Sequence, residues 1–219
     1  MKGPAPHKSD PPAGGLAALS DNDLLVRLKG AGMDQQADLF GELVRRYKDR
    51  IVHFLYRYVG DRSTAEDLGQ EAFIRVFRNI AEFDPASKFS TWLYTIAANL
   101  AKDEFKRRVR HPAKSLDWKS TKASDTTRDL PGAQADERIE PDVYLQRREL
   151  RDQINQALSR LKDEDREVLV LREVQHMAYE DISTILTVPI GTVKSRISRA
   201  RTAFTAVWLE LSRESGDER

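Results

Sequence analysis

Between Val188 and Phe204 the chain reads VPIGTVKSRISRARTAF, with four cations (Lys194, Arg196, Arg199 and Arg201) and no acid. The whole protein carries a net charge of only +1, so this concentration of charge is local. Guanidinium groups interleaved with hydroxyls suit nucleic acid, because Arg can pair bidentately with guanine edges while cations and hydroxyls hold phosphates. Val193, Ile197, Ala200 and Phe204 recur at spacings of four, three and four, which makes them one buried helical stripe. The cations fall outside it. Lys194 and Arg201 flank one edge, Arg196 and Arg199 lie on the far side, and Thr192, Ser195 and Ser198 sit between them. Upstream, AYEDISTIL gives a shorter helix with Ile182, Ile185 and Leu186 inward, and Pro189 fits the first turn of the longer one. Short helix, tight turn and basic helix form a helix-turn-helix whose second helix is expected to enter the major groove.

A second polar row lies in STWLYTIAANLAKDEFKRRVR. Thr91, Thr95, Asn99, Lys102 and Lys106 follow one another at spacings of four, four, three and four, opposite an apolar stripe of Phe89, Trp92, Leu93, Ile96, Ala97 and Leu100. Hydroxyls and an amide followed by ammonium groups again fit bases and phosphates. Lys106, Arg107, Arg108 and Arg110 extend the positive end, and Trp92 is assigned to the core. A further helix is predicted over residues 63–80, opened by a Ser63/Glu66 capping box. Its inner stripe is Ala65, Leu68, Ala72, Phe73, Val76, Phe77 and Ile80, and its outer face carries Asp67, Gln70, Glu71, Ile74 and Arg78. Ile74 on that polar face suggests a docking surface, although single exposed apolar residues are common.

These helices require positioning, and the chain has the means. Its 219 residues suffice for one or two domains, with 40% hydrophobic and 32% charged residues and weak strand signals throughout. The expected fold is all-α: two small helical domains joined by a flexible linker. Residues 1–19 read as a disordered Pro/Gly-rich extension, 20–110 as the first domain, 111–142 as the linker, 143–212 as the second domain and 213–219 as a tail. A linker of that length has a root-mean-square span of roughly 30 Å, enough to let two domains engage separate DNA elements. The second domain opens with Leu150, Ile154, Ala157, Leu158 and Leu161 as its stripe; Asp163, Glu164 and Asp165 then mark a helix N-terminus through the helix dipole rather than a metal site. There are no cysteines and the four histidines are scattered, so no metal or cofactor is expected. The N-terminal segment lacks a secretory apolar stretch and no transmembrane run exists, which predicts a cytoplasmic protein.

DLGQEAFIRVFRNI, FSTWLYTIAANLAKDEFKRR, LKDEDREVLVLREV and YEDISTILTVPIGTVKSRISRARTAF, in that order, resemble bacterial RNA polymerase sigma factors of the extracytoplasmic-function (ECF, sigma-70) type. The resemblance spans most of both helical blocks. It implies a region 2-like bundle and a region 4-like helix-turn-helix, acting together in promoter-specific initiation without catalysis. It assigns Asp67, Gln70, Glu71 and Ile74 to core polymerase binding on the β′ clamp, with the β flap as a further polymerase contact. Phe83, Lys88, Thr91, Thr95, Asn99, Lys102 and Lys106 are assigned to the −10 element and its melting, Asn99 lying near an unstacked base. Arg172, Tyr179, Glu180, Thr192, Lys194, Ser195, Arg196 and Arg199 are assigned to the −35 element, with Arg172 and Tyr179 on phosphates and Arg196 and Arg199 near base edges. It also implies control by an anti-sigma factor, often membrane-anchored, which would hold the protein near the inner membrane.

Three features depart from the family pattern: Thr187 where a turn Gly is common, Ser198 where some relatives carry an aromatic, and the N-terminal extension. The competing reading, a stand-alone DNA-binding regulator, needs neither the Thr91–Lys106 row nor the Asp67/Gln70/Glu71 face. An enzyme lacks any nucleophile–base pair, phosphate loop or metal cluster here.

Overall fold

The computed structural model describes residues 15–110 and 141–216, and every regular element among them is helical. Most of the expected linker, and residues 1–14 of the expected extension, therefore lie outside the described residues. The first block contains α1 (Asp21–Gly30), α2 (Met33–Val59), α3 (Arg62–Arg78) and α4 (Phe89–Arg110). The second contains α5 (Pro141–Ser159), α6 (Asp163–Leu169), a π-helical turn (Val170–Val174), α7 (Tyr179–Leu186) and α8 (Ile190–Gly216).

Local chemistry sets these boundaries. Ser20 caps α1 by accepting from the Asp23 amide. Gly60 closes α2 in the left-handed conformation at φ 75°, which only glycine adopts cheaply. The expected Ser63 capping box is not what starts α3. Asp61 is the cap, its carboxylate accepting from the Thr64 amide at 2.8 Å and from the Thr64 hydroxyl, so the helix begins one residue earlier. Glu66, freed from that role, pairs with Arg62 at 2.8 Å. Asp163, Glu164 and Asp165 do occupy the first turn of α6.

α2 and α3 pack closely because position 69 is glycine: a Cβ there would lie 3.2 Å from Val52 Cγ2. Leu43, Ile51, Phe54, Leu55, Ala65, Ala72, Val76 and Leu93 are buried at the centre of the first block. Fully burying a Leu or Phe contributes about 1.5–3 kcal/mol. Residues 15–19, expected within the disordered extension, are instead held against α2. Arg46 donates to the carbonyls of Leu16, Ala17 and Leu19 at 3.1, 3.1 and 2.8 Å and to Asp21 at 2.8 Å. At the other end α8 continues past Ser212 to Gly216.

The two blocks also touch. α7 lies on α4, α6 and the π-helical turn approach α2, and the buried apolar residues form one cluster running from Leu24 to Ala200. The sequence predicts two domains on a tether and says nothing about such a contact.

Candidate nucleic-acid interface

In the helix-turn-helix, α7 and α8 are joined by a turn in which Thr187 adopts φ 55° and ψ 46°. The Ser183 hydroxyl donates to the Val188 carbonyl at 2.6 Å, and the Val188 amide returns a bond to the Ser183 carbonyl at 3.1 Å. These bonds fix the angle between the helices while Thr187 bears the strained conformation. Ile182, Ile185 and Leu186 meet Val193, Ile197 and Ala200 in the core, as their spacing predicts. The outer face of α8 presents Lys194, Ser195 and Arg199 to solvent, with Thr192 half-buried at its start. Arg196 is tied back to Glu164 at 3.1 Å. Beside this helix, Arg172 lies 4.8 Å from the Tyr179 ring and donates to the Met177 carbonyl at 2.7 Å. Glu180 is exposed. All eight predicted −35 residues thus gather around α7, α8 and the turn preceding α7.

The row on α4 is also one continuous face, but much of it is not open. Thr91 is buried, and its hydroxyl donates to Asp181 Oδ1 on α7 at 3.0 Å. Lys88 meets the other oxygen of Asp181 at 2.7 Å. Lys102 lies 3.2 Å from Glu167 Oε1, charge-paired without a hydrogen bond. Burial holds that carboxyl above the usual range, against the opposing pull of Lys102. Thr95 donates to the Thr91 carbonyl at 2.8 Å, while Asn99 and Lys106 face solvent. The positive end is partly neutralised: Arg107 and Arg108 donate to Glu104 at 2.7 and 2.8 Å and hold its carboxyl below the usual range.

The loop before α4 is pinned from a distance. Asn22 donates to the carbonyls of Pro85 and Ser87 at 2.9 and 3.1 Å, and Lys29 to those of Ala81 and Phe83 at 3.2 and 2.5 Å. Phe83 itself is buried, its ring 5.1 Å from that of half-buried Trp92. It supports the loop from beneath, and Trp92 takes the packing role expected of it.

On α3, Asp67, Gln70 and Ile74 are exposed and Glu71 pairs with Arg75 at 2.8 Å. Phe77, predicted to face inward, is 43% exposed, matching Ile74 at 43%. Its ring leans on Phe40 of α2 at 5.0 Å, so it extends the Ile74 surface rather than the core. Position 77 borders both faces of α3, and only the placement of α2 decides which one it joins. Asn22, Lys29, Asp181 and Glu167 also escape sequence reasoning, because their partners are 63, 52, 93 and 65 positions away and leave no local pattern.

Two helical blocks, one bearing a helix-turn-helix and the other a polar–cationic helix beside an exposed apolar patch on α3, define a sigma-70-type architecture. The sequence matches Sigma-70 region 2 over residues 43–111 and Sigma-70 region 4 over residues 151–204. It is 37% identical over 201 residues to the RNA polymerase sigma-H factor of Pseudomonas aeruginosa, spanning 91% of this chain and 100% of that one. It is 38% identical over 167 residues to the ECF RNA polymerase sigma factor SigW of Bacillus subtilis, spanning 76% and 87%. The fold matches that of the sigma factor RpoE from Bartonella quintana, solved in complex with the anti-sigma factor NepR. The TM-score is 0.56 at 23% identity, covering 78% of this chain and 96% of the other. The chain belongs to the ECF RNA polymerase sigma factors. No helix among the described residues is long and apolar enough to cross a membrane.

Proposed function

We propose that this sigma factor recruits core RNA polymerase through the α3 face, reads the −35 element with α7 and α8, and reads and helps open the −10 element with α4. The observation that carries this reading is the segregation of three surfaces on one helical scaffold. Asp67, Gln70, Glu71, Ile74 and Phe77 form an apolar-centred patch on α3. Lys194, Ser195 and Arg199 are exposed on α8, and Asn99 and Lys106 are exposed on α4. Arg199 and Arg196 approach base edges; Arg172, Tyr179 and Lys194 hold phosphates. On α4, Asn99 meets the edge of an unstacked base while Lys88, Lys102 and Lys106 follow the strand, an arrangement that offsets the few kcal/mol an extruded base costs. Phe83 acts indirectly by shaping the loop.

The protein carries out no catalytic step of its own and works in the cytoplasm, where the polymerase and the promoter are. The Bartonella relative is seen with an anti-sigma factor, and a partner of that kind is proposed for this chain. The test is Asn99→Ala in complexes reconstituted with core polymerase. Permanganate reactivity of −10 thymines is expected to drop about tenfold or more with core affinity unchanged. Equal loss of both would contradict the role given to Asn99.

A further inference from the structure

The loop that leads into α4 is held by α1, a helix with no part in the DNA surfaces assigned so far. Both ends of the loop are buried aromatics, Phe83 and Phe89, whereas Asp84, Pro85, Ala86, Ser87 and Lys88 between them are exposed. A segment so exposed has little packing to give it one shape. Polar contacts supply the shape instead. Asp84 folds the tip on itself, its carboxylate accepting from the Ala86 amide and its carbonyl from the Ser87 amide, both at 2.9 Å. α1 then takes the carbonyls of alternate residues: Lys29 Nζ donates to Ala81 and Phe83, and Asn22 Nδ2 to Pro85 and Ser87. Because both acceptors of Asn22 are carbonyls, its amide must present nitrogen to the loop. Asn22 and Lys29 are seven positions apart, two helical turns, so they share one face of α1 about 10 Å apart along its axis. The other side of α1 is anchored. Leu24, Leu25 and Leu28 are buried, and Asp21 is bound by Arg46 at 2.8 Å and by the Tyr47 hydroxyl. The Tyr47 ring also meets Phe89, the first residue of α4, edge-on at 5.2 Å. One side chain of α2 thus fixes both the helix that carries the donors and the helix that follows the loop.

We propose that α1 is the template of the −10 loop: Asn22 and Lys29 are positioning residues that set which −10 base is accepted, although neither touches DNA. This rests on the reading of α4 and the loop before it as the −10 reader. A site that selects an unstacked base needs its donors and acceptors held to within about half an ångström. At one end of the tip Lys88 meets Asp181 of α7; along the rest, α1 supplies the hold. Each exposed hydrogen bond competes with water and contributes modestly. Four of them from two side chains on one anchored helix fix the backbone by number rather than by strength. A loop released from α1 presents no constant set of groups to the base. Opening then continues, but discrimination between bases falls.

The experiment uses the full chain with core polymerase on a promoter library randomised across the −10 element. Sequencing of single-round transcripts gives, at each position, the ratio of the preferred base to the others. Asn22→Asp keeps the side-chain shape and removes both donated hydrogens; Lys29→Met keeps the stem and removes the ammonium. Each is expected to lower the ratio at the captured base about tenfold. Core affinity should be unchanged and Tm should fall by less than about 4 °C. A merely structural loss lowers the yield from every promoter alike and leaves the ratios as they were. Arg27→Met removes an exposed cation from another face of α1 and should alter the ratios less than about twofold, because a distant charge acts on all sequences alike. The salt dependence of promoter binding should be the same for Lys29→Met and the unaltered protein. A slope smaller by about one would mean that Lys29 holds a phosphate itself, which overturns its positioning role. Unchanged ratios in either variant would overturn the role of that residue, and unchanged ratios in both, or an equal loss in Arg27→Met, would overturn the proposal. Asn99→Ala in the same assay separates the two levels. If it also leaves every −10 ratio unchanged, the parent reading fails; if it flattens them and the α1 variants do not, only the templating by α1 fails.

Discussion

The two polar helices of this protein carry similar chemistry and are presented very differently. α8 shows Lys194, Ser195 and Arg199 to solvent, with Arg196 drawn back to Glu164 and Arg201 to Glu173. On α4 and the residue before it, Lys88, Thr91 and Lys102 are engaged by acids from the other block, leaving Asn99 and Lys106 open. One face is ready and the other is held. A cation's position on a helix therefore establishes which way it points, but not whether a partner already occupies it.

Substitutions on the ready face should have the largest effects. Arg199→Ala is expected to lower −35-dependent transcription about tenfold to a hundredfold, since a bidentate base contact is worth about 1–3 kcal/mol. Competition between promoter variants in single-round transcription measures it. Arg196→Ala should cost less, because Arg196 must first leave Glu164. An Arg196 effect larger than that of Arg199 would break the ranking.

The held face should respond weakly to the loss of a cation. Lys102→Ala removes the phosphate contact proposed for it and also loosens the packing of the two blocks by leaving the buried Glu167 carboxyl without its pair. These consequences oppose one another, so binding of single-stranded DNA by the free protein should change less than about threefold. A large loss would mean that this packing contributes nothing to the balance.

Two stability measurements probe the scaffolds behind the faces. His53 in α2 is half-buried, and burial above all, with the nearby charges of Arg57, Arg62 and Arg151 against the opposing Asp49, pushes its imidazole below the ordinary 6.5. A lowered value in the folded state means that its contribution is present above pH 6.5 and is lost as the pH falls through that lowered value. Thermal unfolding should thus show an acid-sensitive first block, and His53→Gln should flatten that slope. In the second block, Thr187→Gly relieves a left-handed residue and should stabilise by about 1 kcal/mol, raising Tm by roughly 2–4 °C. A fall in Tm would show that the Thr187 side chain contributes more than its backbone costs.

What was legible in the sequence follows the same division. Helical spacing gave the cores of α7 and α8 and the outer faces of α3 and α8, because each depends on residues within a few turns of one another. The start of α3 is not decided by the local sequence, since Asp61 competes with Ser63 for the capping role and both are good caps. Phe77 could not be assigned from α3 alone, because Phe40 on another helix decides its environment. Helical spacing places Thr91 on an outer face for the same reason: its cover is Asp181, 90 positions away. The order of residues 15–19 depends on Arg46, which reads locally as one more charge on a helix.

The most direct measurement is transcription in vitro from a pool of genomic fragments by purified core polymerase, with and without this protein. The account predicts promoter-specific transcripts only when both are present, lost in Ile74→Glu/Phe77→Glu, which disables the α3 patch while α4 and α8 remain intact. Tight sequence-specific duplex binding by the protein alone, with no new transcripts from any fragment, would contradict it.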